Sequence, residues 1–271
     1  MTVDTTADQP VVTAPSAADL LLAWEWGIPA DAAERSVVLL AALLPGQPTE
    51  RITSMSVGER DLHLLHARRM LFGPQLECVM SCPACSVELE LSIGLGDLLE
   101  RASTTVASDV AETAADVDRH GEVEAHGWHV HFRLIELQDL IDAAPSNDPQ
   151  RAREILLGRC VVEAVPPDGD ALASLPDDGL PPEVEHAVLE EMQRRDRMRP
   201  LDFQLTCSDC DHVWLAPFDI LGFLWAEIDG WAHRTLREVH LLAATYGWRE
   251  RDILELSTWR REAYLQLSGH A

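Results

Sequence analysis

The sequence predicts an α+β fold: small antiparallel hairpins set among helices, with helical N-terminal and C-terminal segments and an inserted hairpin-plus-helices region. Three observations carry this. Residues 76–91 and 205–214 each place a Cys-x-x-Cys turn between runs that alternate apolar and polar side chains, the mark of a hairpin. The flanking segments carry apolar residues at helical spacing between capping residues. Between the two hairpins, residues 122–134 alternate again around Gly127, and helical stretches follow.

Four stretches are expected in order: a disordered 1–16, a helical segment with the first Cys-x-x-Cys hairpin over 17–101, the insertion over 102–199, and the second hairpin with a helical arm over 200–271. The start is polar and rich in Thr and Ala, and it lacks the basic and apolar regions of a signal peptide. Leu20 to Trp26 predicts a short helix whose Trp24 and Trp26 either pack on the core or anchor a partner. Asp31 caps a helix that Pro45-Gly46 stops. Ser56-Val-Gly-Glu59 has the form of a capping box and opens a helix with Leu62, Leu65, Ala67, Met70 and Leu71. Arg68 and Arg69 sit near its end, where cations suit the helix dipole, and Gly73-Pro74 ends it. A strand over 75–80 enters the first Cys-x-x-Cys turn, one over 87–91 leaves it, and a short helix is expected over 95–99.

Residues 102–118 read as a linker. In the next hairpin Trp128, Val130, Phe132 and Leu134 share one face, and His129, His131 and Arg133 share the other. With His120 and His126 nearby, that second face is either a solvated surface or a metal site. Helices are expected over 139–143, from Asp148 to about Ala164, and from Pro182 to about Arg197, with a Pro- and Asp-rich loop over 165–180. The last third predicts helices over 218–231, 235–246, 250–256 and 258–267, with Gly247 capping the second and Ser257 the last.

Cys82, Cys85, Cys207 and Cys210 supply four soft ligands, the set of a tetrahedral structural zinc. Four-Cys sites usually hold roughly 15–20 residues between their pairs; here 121 residues separate Cys85 from Cys207. The matching context of strand, turn, strand and helix in both copies nevertheless reads as one zinc ribbon split by an insertion. A redox dithiol would open a helix, whereas β-prone runs follow both pairs. A disulfide framework would suit a secreted chain. Cys78 and Cys160 read as core residues, and His212 stands beside the second pair as a less favoured ligand.

The formal charge is −25, and every base is Arg. That balance repels nucleic-acid phosphate and anionic membranes, so the expected partners are proteins. No apolar run reaches bilayer length, which favours a cytoplasmic chain without membrane insertion. The sequence holds no phosphate-cradling Gly loop, nucleophile elbow or His-Glu-x-x-His, and no catalytic residue is assigned. The residues alone describe an acidic protein-interaction module on a zinc ribbon, with nucleic-acid binding and thiol redox chemistry as rival classes.

A resemblance sharpens this. Arg237-Glu-Val-His-Leu-Leu-Ala-Ala-Thr-Tyr246-Gly-Trp248, Asp252-Ile-Leu254, Arg260-Arg261 and Tyr264-Leu265 form one pattern. Val57-Gly-Glu-Arg-Asp61 through Phe72-Gly-Pro and Cys82-Pro-Ala-Cys85 forms another, and Phe132-Arg-Leu134 with Asp139-Leu140 a third. Together they resemble the T-even-type phage baseplate hub assembly chaperone family of contractile tails and phage-tail-like contractile injection systems, over residues 34–101, 121–164 and 200–268. The hairpin lacks the Pro expected after Phe132-Arg-Leu134. The resemblance implies a non-enzymatic protein that helps build, or joins, a baseplate. Its partners would be hub, spike or tape-measure proteins, met through Tyr246, Trp248, Tyr264 and Leu265.

Overall fold

A computed structural model describes residues 12–96, 98–99, 119–146, 148–167, 169, 172, 174–175, 179–196, 198 and 201–269. The expectations for residues 1–11 and for the 102–118 linker fall outside them. The fold is α+β. It opens with α1 (Ala17–Gly27), α2 (Ala32–Leu43), α3 (Thr49–Thr53) and α4 (Val57–Phe72), which lead into the hairpin β1 (Gln75–Ser81) and β2 (Glu88–Gly94). The insertion holds β3 (His120–Ala125), β4 (Trp128–Arg133), α5 (Leu137–Ala143), α6 (Pro149–Cys160), β5 (Val161–Val165) and α7 (Pro182–Arg195). The chain closes with β6 (Leu201–Thr206), β7 (Val213–Phe218), α8 (Ile220–Tyr246), α9 (Glu250–Leu254) and α10 (Thr258–Leu267).

The strands make three antiparallel sheets among the described residues: β1-β2, β3-β4-β5 and β6-β7. β5 departs from the sequence reading, which continued the helix from Asp148 to Ala164. The helix stops at Cys160, and Val161 to Val165 pair with β4 instead. A short apolar run serves helix or strand equally; here an open sheet edge and three valines decide it. The second departure is α8. A break was expected near Ala232, yet the helix runs unbroken for 27 residues. No Pro interrupts it, and Ile228, Ala232, Thr235, Val239 and Leu242 continue one buried stripe through the expected break.

Three clusters of buried side chains organise these elements. The largest joins α1, α2, α4, β1, Leu95, Leu98 and Leu99 to the first half of α8, so segments before and after the insertion share one core. The second lies inside the insertion, where Val130, Phe132 and Ala164 meet Cys160, Val184 and Val188. The acids and arginines of α7 therefore line only one side of it. The third is small and packs Val239 and Leu242 of α8 against Ile253.

Local chemistry fixes the joints. Asp31 and Glu34 form a reciprocal capping box on α2. At α4 only half of the expected box forms. Ser56 accepts from the Glu59 N–H at 3.1 Å, but the Glu59 carboxylate accepts from Arg51 at 2.8 Å and Arg119 at 3.1 Å. Asp196, just past α7, completes the cap: it accepts from Ser56 Oγ at 2.5 Å and the Gly58 N–H at 2.8 Å. The insertion is thereby tied to the helix that feeds the first hairpin. The α1–α8 crossing is close. A Cβ at Gly27 would lie 2.5 Å from the Trp225 ring, and Trp24 donates its indole N–H to Asp229 at 2.9 Å. Trp24 is thus a packing residue, whereas Trp26 stays 63% exposed.

Arg68 is the least expected of these joints. It points inward, its side chain only 4% exposed. It donates two bonds to Glu227 of α8, at 2.9 and 2.8 Å, and two to the Gly73 and Gln75 carbonyls, at 2.8 and 2.5 Å. One guanidinium thus joins α4, the start of β1 and α8. Arg133 plays a similar part at the junction of the two larger cores. It grips Asp139 at 2.6 and 2.8 Å, and Asp139 also accepts from the Glu136 N–H at 2.9 Å. Burial would raise the Asp139 carboxyl, but Arg133, the Glu136 N–H and Arg159 overcome it and hold it below the ordinary carboxylate range.

Candidate metal centre

The two Cys-x-x-Cys turns fold alike. In the first, the Cys82 N–H donates to the Val87 carbonyl and the Ser86 N–H to the Cys82 carbonyl, each at 2.9 Å. In the second, the Cys207 N–H donates to His212 at 2.9 Å and the Asp211 N–H to Cys207 at 3.1 Å. The residue after each second cysteine is left-handed: φ is 62° at Ser86 and 55° at Asp211. Asp tolerates that region better than most side chains. An N–H donor is aimed at the first sulfur of each pair, from Ala84 to Cys82 and from Asp209 to Cys207, both at 3.4 Å. Such bonds disperse thiolate charge.

The core shared by the two ends then brings the turns together. Cys82 Sγ lies 3.8 Å from Cys210 Sγ, and Cys85 Sγ lies 3.5 Å from Cys207 Sγ. All four sulfurs fall within 4.8 Å of one another. A tetrahedral ion with metal–sulfur bonds of about 2.3 Å needs sulfurs about 3.8 Å apart. The donor set and its spacing fit such an ion, and these separations are too long for a disulfide. Cys82 and Cys207 are buried while Cys85 and Cys210 are exposed, so each hairpin contributes one inner and one outer ligand. Strands, not helices, follow both pairs. The thiols also differ in acidity. Burial tends to raise Cys82, but the Cys85 and Ala84 N–H groups and its sulfur neighbours bring it down to about 7. At Cys85 the Val87 N–H works to lower the thiol, and burial with the other sulfurs pushes it up to about 12. An ion bound by the cluster would take up the negative charge that the crowded thiols resist.

Cys160, the last residue of α6, is fully buried, and burial pushes its thiol up to about 12. Cys78 is half-buried on β1. The His212 ring stacks on Trp214, with centroids 5.9 Å apart, and lies outside the sulfur cluster.

The aromatic residues expected to meet a partner sit elsewhere. Tyr246 stacks on Trp248 at 4.7 Å, Trp248 meets Tyr264 edge-on at 4.9 Å, and the Tyr246 hydroxyl donates to the Tyr264 carbonyl at 3.2 Å. Trp248, Tyr264 and Leu265 pack against Val239, Leu242 and Ile253. These four side chains fasten α10 to the end of α8, with only part of their surface outward. Among the described large apolar residues of this arm Trp259 and Leu267 stand out furthest, at 76% and 78%, with Tyr246 at 37%. Sequence reading passed over both because neither belongs to a periodic face. Among the described residues no helix is long and apolar enough to cross a membrane. Comparison of the chain with protein-family models, curated proteins and solved structures gives no match.

Proposed function

We propose that this chain is a non-enzymatic assembly factor or component of the baseplate of a contractile tail or contractile injection system, and that Cys82, Cys85, Cys207 and Cys210 hold one structural zinc. The observation that carries the reading is the four-sulfur cluster built from two hairpins on either side of the insertion, with 121 residues between Cys85 and Cys207. It stands in the same order, with the same helical arm, as the pattern that resembles the baseplate hub assembly chaperones. Zinc, when bound, ties the two hairpins into one scaffold. Four thiolates fill its tetrahedral sphere and reserve no position for substrate. The acidic body suits basic protein surfaces and disfavours nucleic acid. Trp259 and Leu267 on α10, with Val213 and Leu215 on β7, offer apolar contact points.

The test is recovery of the tagged full-length chain from its native host. Hub, spike or tape-measure proteins should accompany it. Recovery alone, or with polymerase or ribosomal components, would reject the baseplate reading and leave an acidic interaction module on a metal-stapled fold.

A further inference from the structure

We propose a second, labile metal site on the outer face of the insertion's sheet, formed by Glu122, His129 and His131 and selective for a divalent transition ion such as Ni2+, Co2+ or Zn2+. Nothing in the baseplate reading uses this face, and the proposal does not depend on that reading.

The geometry comes from strand register. His129 and His131 are two apart on β4 and so project from one face. Glu122 on β3 pairs directly with His131, and Glu163 on β5 pairs with it from the other side. Glu122 Oε2 lies 3.5 Å from His129 Nε2 and 3.8 Å from His131 Nδ1. One donor atom from each of the three residues falls within 4.8 Å of the others. The imidazole centroids are 4.7 Å apart.

These separations exceed the ~2.9 Å of a direct hydrogen bond. They approach the ~3.4 Å between ligands that share a tetrahedral ion with bonds near 2.1 Å. The donors are thus spaced as neighbours around a common centre. His131 adds an orienting partner. With Nδ1 turned toward Glu122, its Nε2 faces Glu163 Oε2 at 3.8 Å. That is longer than a hydrogen bond, so Glu163 is placed to orient the ring only if it closes on Nε2 as metal binds, when a carboxylate behind a ligating imidazole strengthens it as a donor. Glu124 shares the same face of β3, so the surroundings are acidic. Arg133, the nearby cation on β4, is turned away into its pair with Asp139.

Two imidazoles and one carboxylate select borderline transition ions over Ca2+ or Mg2+, which prefer all-oxygen sites. The three side chains are half-exposed or exposed, so water would complete the sphere and exchange would be fast. The cysteine cluster differs on both counts.

The experiment is calorimetric titration of Ni2+ into the full-length chain, purified without added metal. One saturable event is expected. H129Q/H131Q should weaken it by at least about tenfold, and E122Q and E163Q by smaller factors. These are surface positions, so circular dichroism should be unchanged. Absence of binding to the native chain would overturn the proposal. So would unchanged affinity in H129Q/H131Q. Ni2+ captured by the cysteines instead would announce itself by thiolate-to-nickel absorption bands that persist in that variant, and would also count against it.

Discussion

Replacing Arg68 should loosen the scaffold that carries the first hairpin, and its cost can be worked from four hydrogen bonds. The guanidinium reaches Glu227 twice and the Gly73 and Gln75 carbonyls once each. R68M keeps much of the volume and removes all four. Deleting one member of a buried pair costs about 3–5 kcal/mol. Glu227 keeps a quarter of its side chain in water, so it tolerates the loss of its partner better than Arg68 would. R68M is therefore expected near 3 kcal/mol, read as a fall of roughly 1–2 M in the urea midpoint at a slope of about 2–3 kcal/mol/M. E227Q leaves a neutral acceptor opposite a buried cation and should cost about 1–2 kcal/mol after the same allowance for solvent. The double variant should cost little more than R68M alone, because both remove one interaction. R68K should not rescue, since an ammonium cannot span a carboxylate and two carbonyls. A loss below about 0.5 kcal/mol for R68M, or full additivity with E227Q, would refute this account of the joint.

Other outcomes follow from the same structure. C82S or C207S should abolish tight metal retention, because each removes a buried ligand, and should lower the melting temperature; metal analysis beside calorimetry reads both. The Asp139 carboxyl is held below its ordinary value, so its contribution is fully present above the unfolded carboxylate value near 4 and is lost as pH falls through the lower folded value. D139N should lower stability at neutral pH and flatten the acid limb of the stability profile. W259S/L267S should change stability by less than about 0.5 kcal/mol while reducing partner recovery. W248A/Y264A should destabilise the arm itself by about 3 kcal/mol or more, since both rings pack in the third cluster. G247A should cost about 1 kcal/mol, because that residue caps α8 with φ at 69°.

Much of this was legible in the sequence where the signal is local. The capping residues Asp31 and Ser257, the stop at Gly73 and the strands around each cysteine pair are set by neighbours in sequence, and they stand where their chemistry puts them. The pairing of the cysteines was legible too, because turn, strand and helix repeat in the same order. What sequence could not give is what depends on distant partners. Val161 and Val162 suit helix or strand, and β4 decides for strand. The run through Ala232 and His233 follows Gly230, a weak helix former, and only its packing against the N-terminal helices shows that it continues the stripe. Arg68 looks like a surface cation until Glu227, 159 residues away, is folded against it. That Tyr246, Trp248 and Tyr264 are also neighbours of one another shows only once α10 folds back.

If Cys82, Cys85, Cys207 and Cys210 close around one zinc, that ion holds together the two hairpins that flank the insertion. X-ray absorption at the zinc edge would read that ion's ligands, on chain purified without added metal and washed briefly with chelator to clear the histidine face. About one zinc per chain is expected, with four sulfur neighbours at about 2.3 Å. A chain that retains no zinc, or a zinc shell of nitrogen and oxygen, would contradict it.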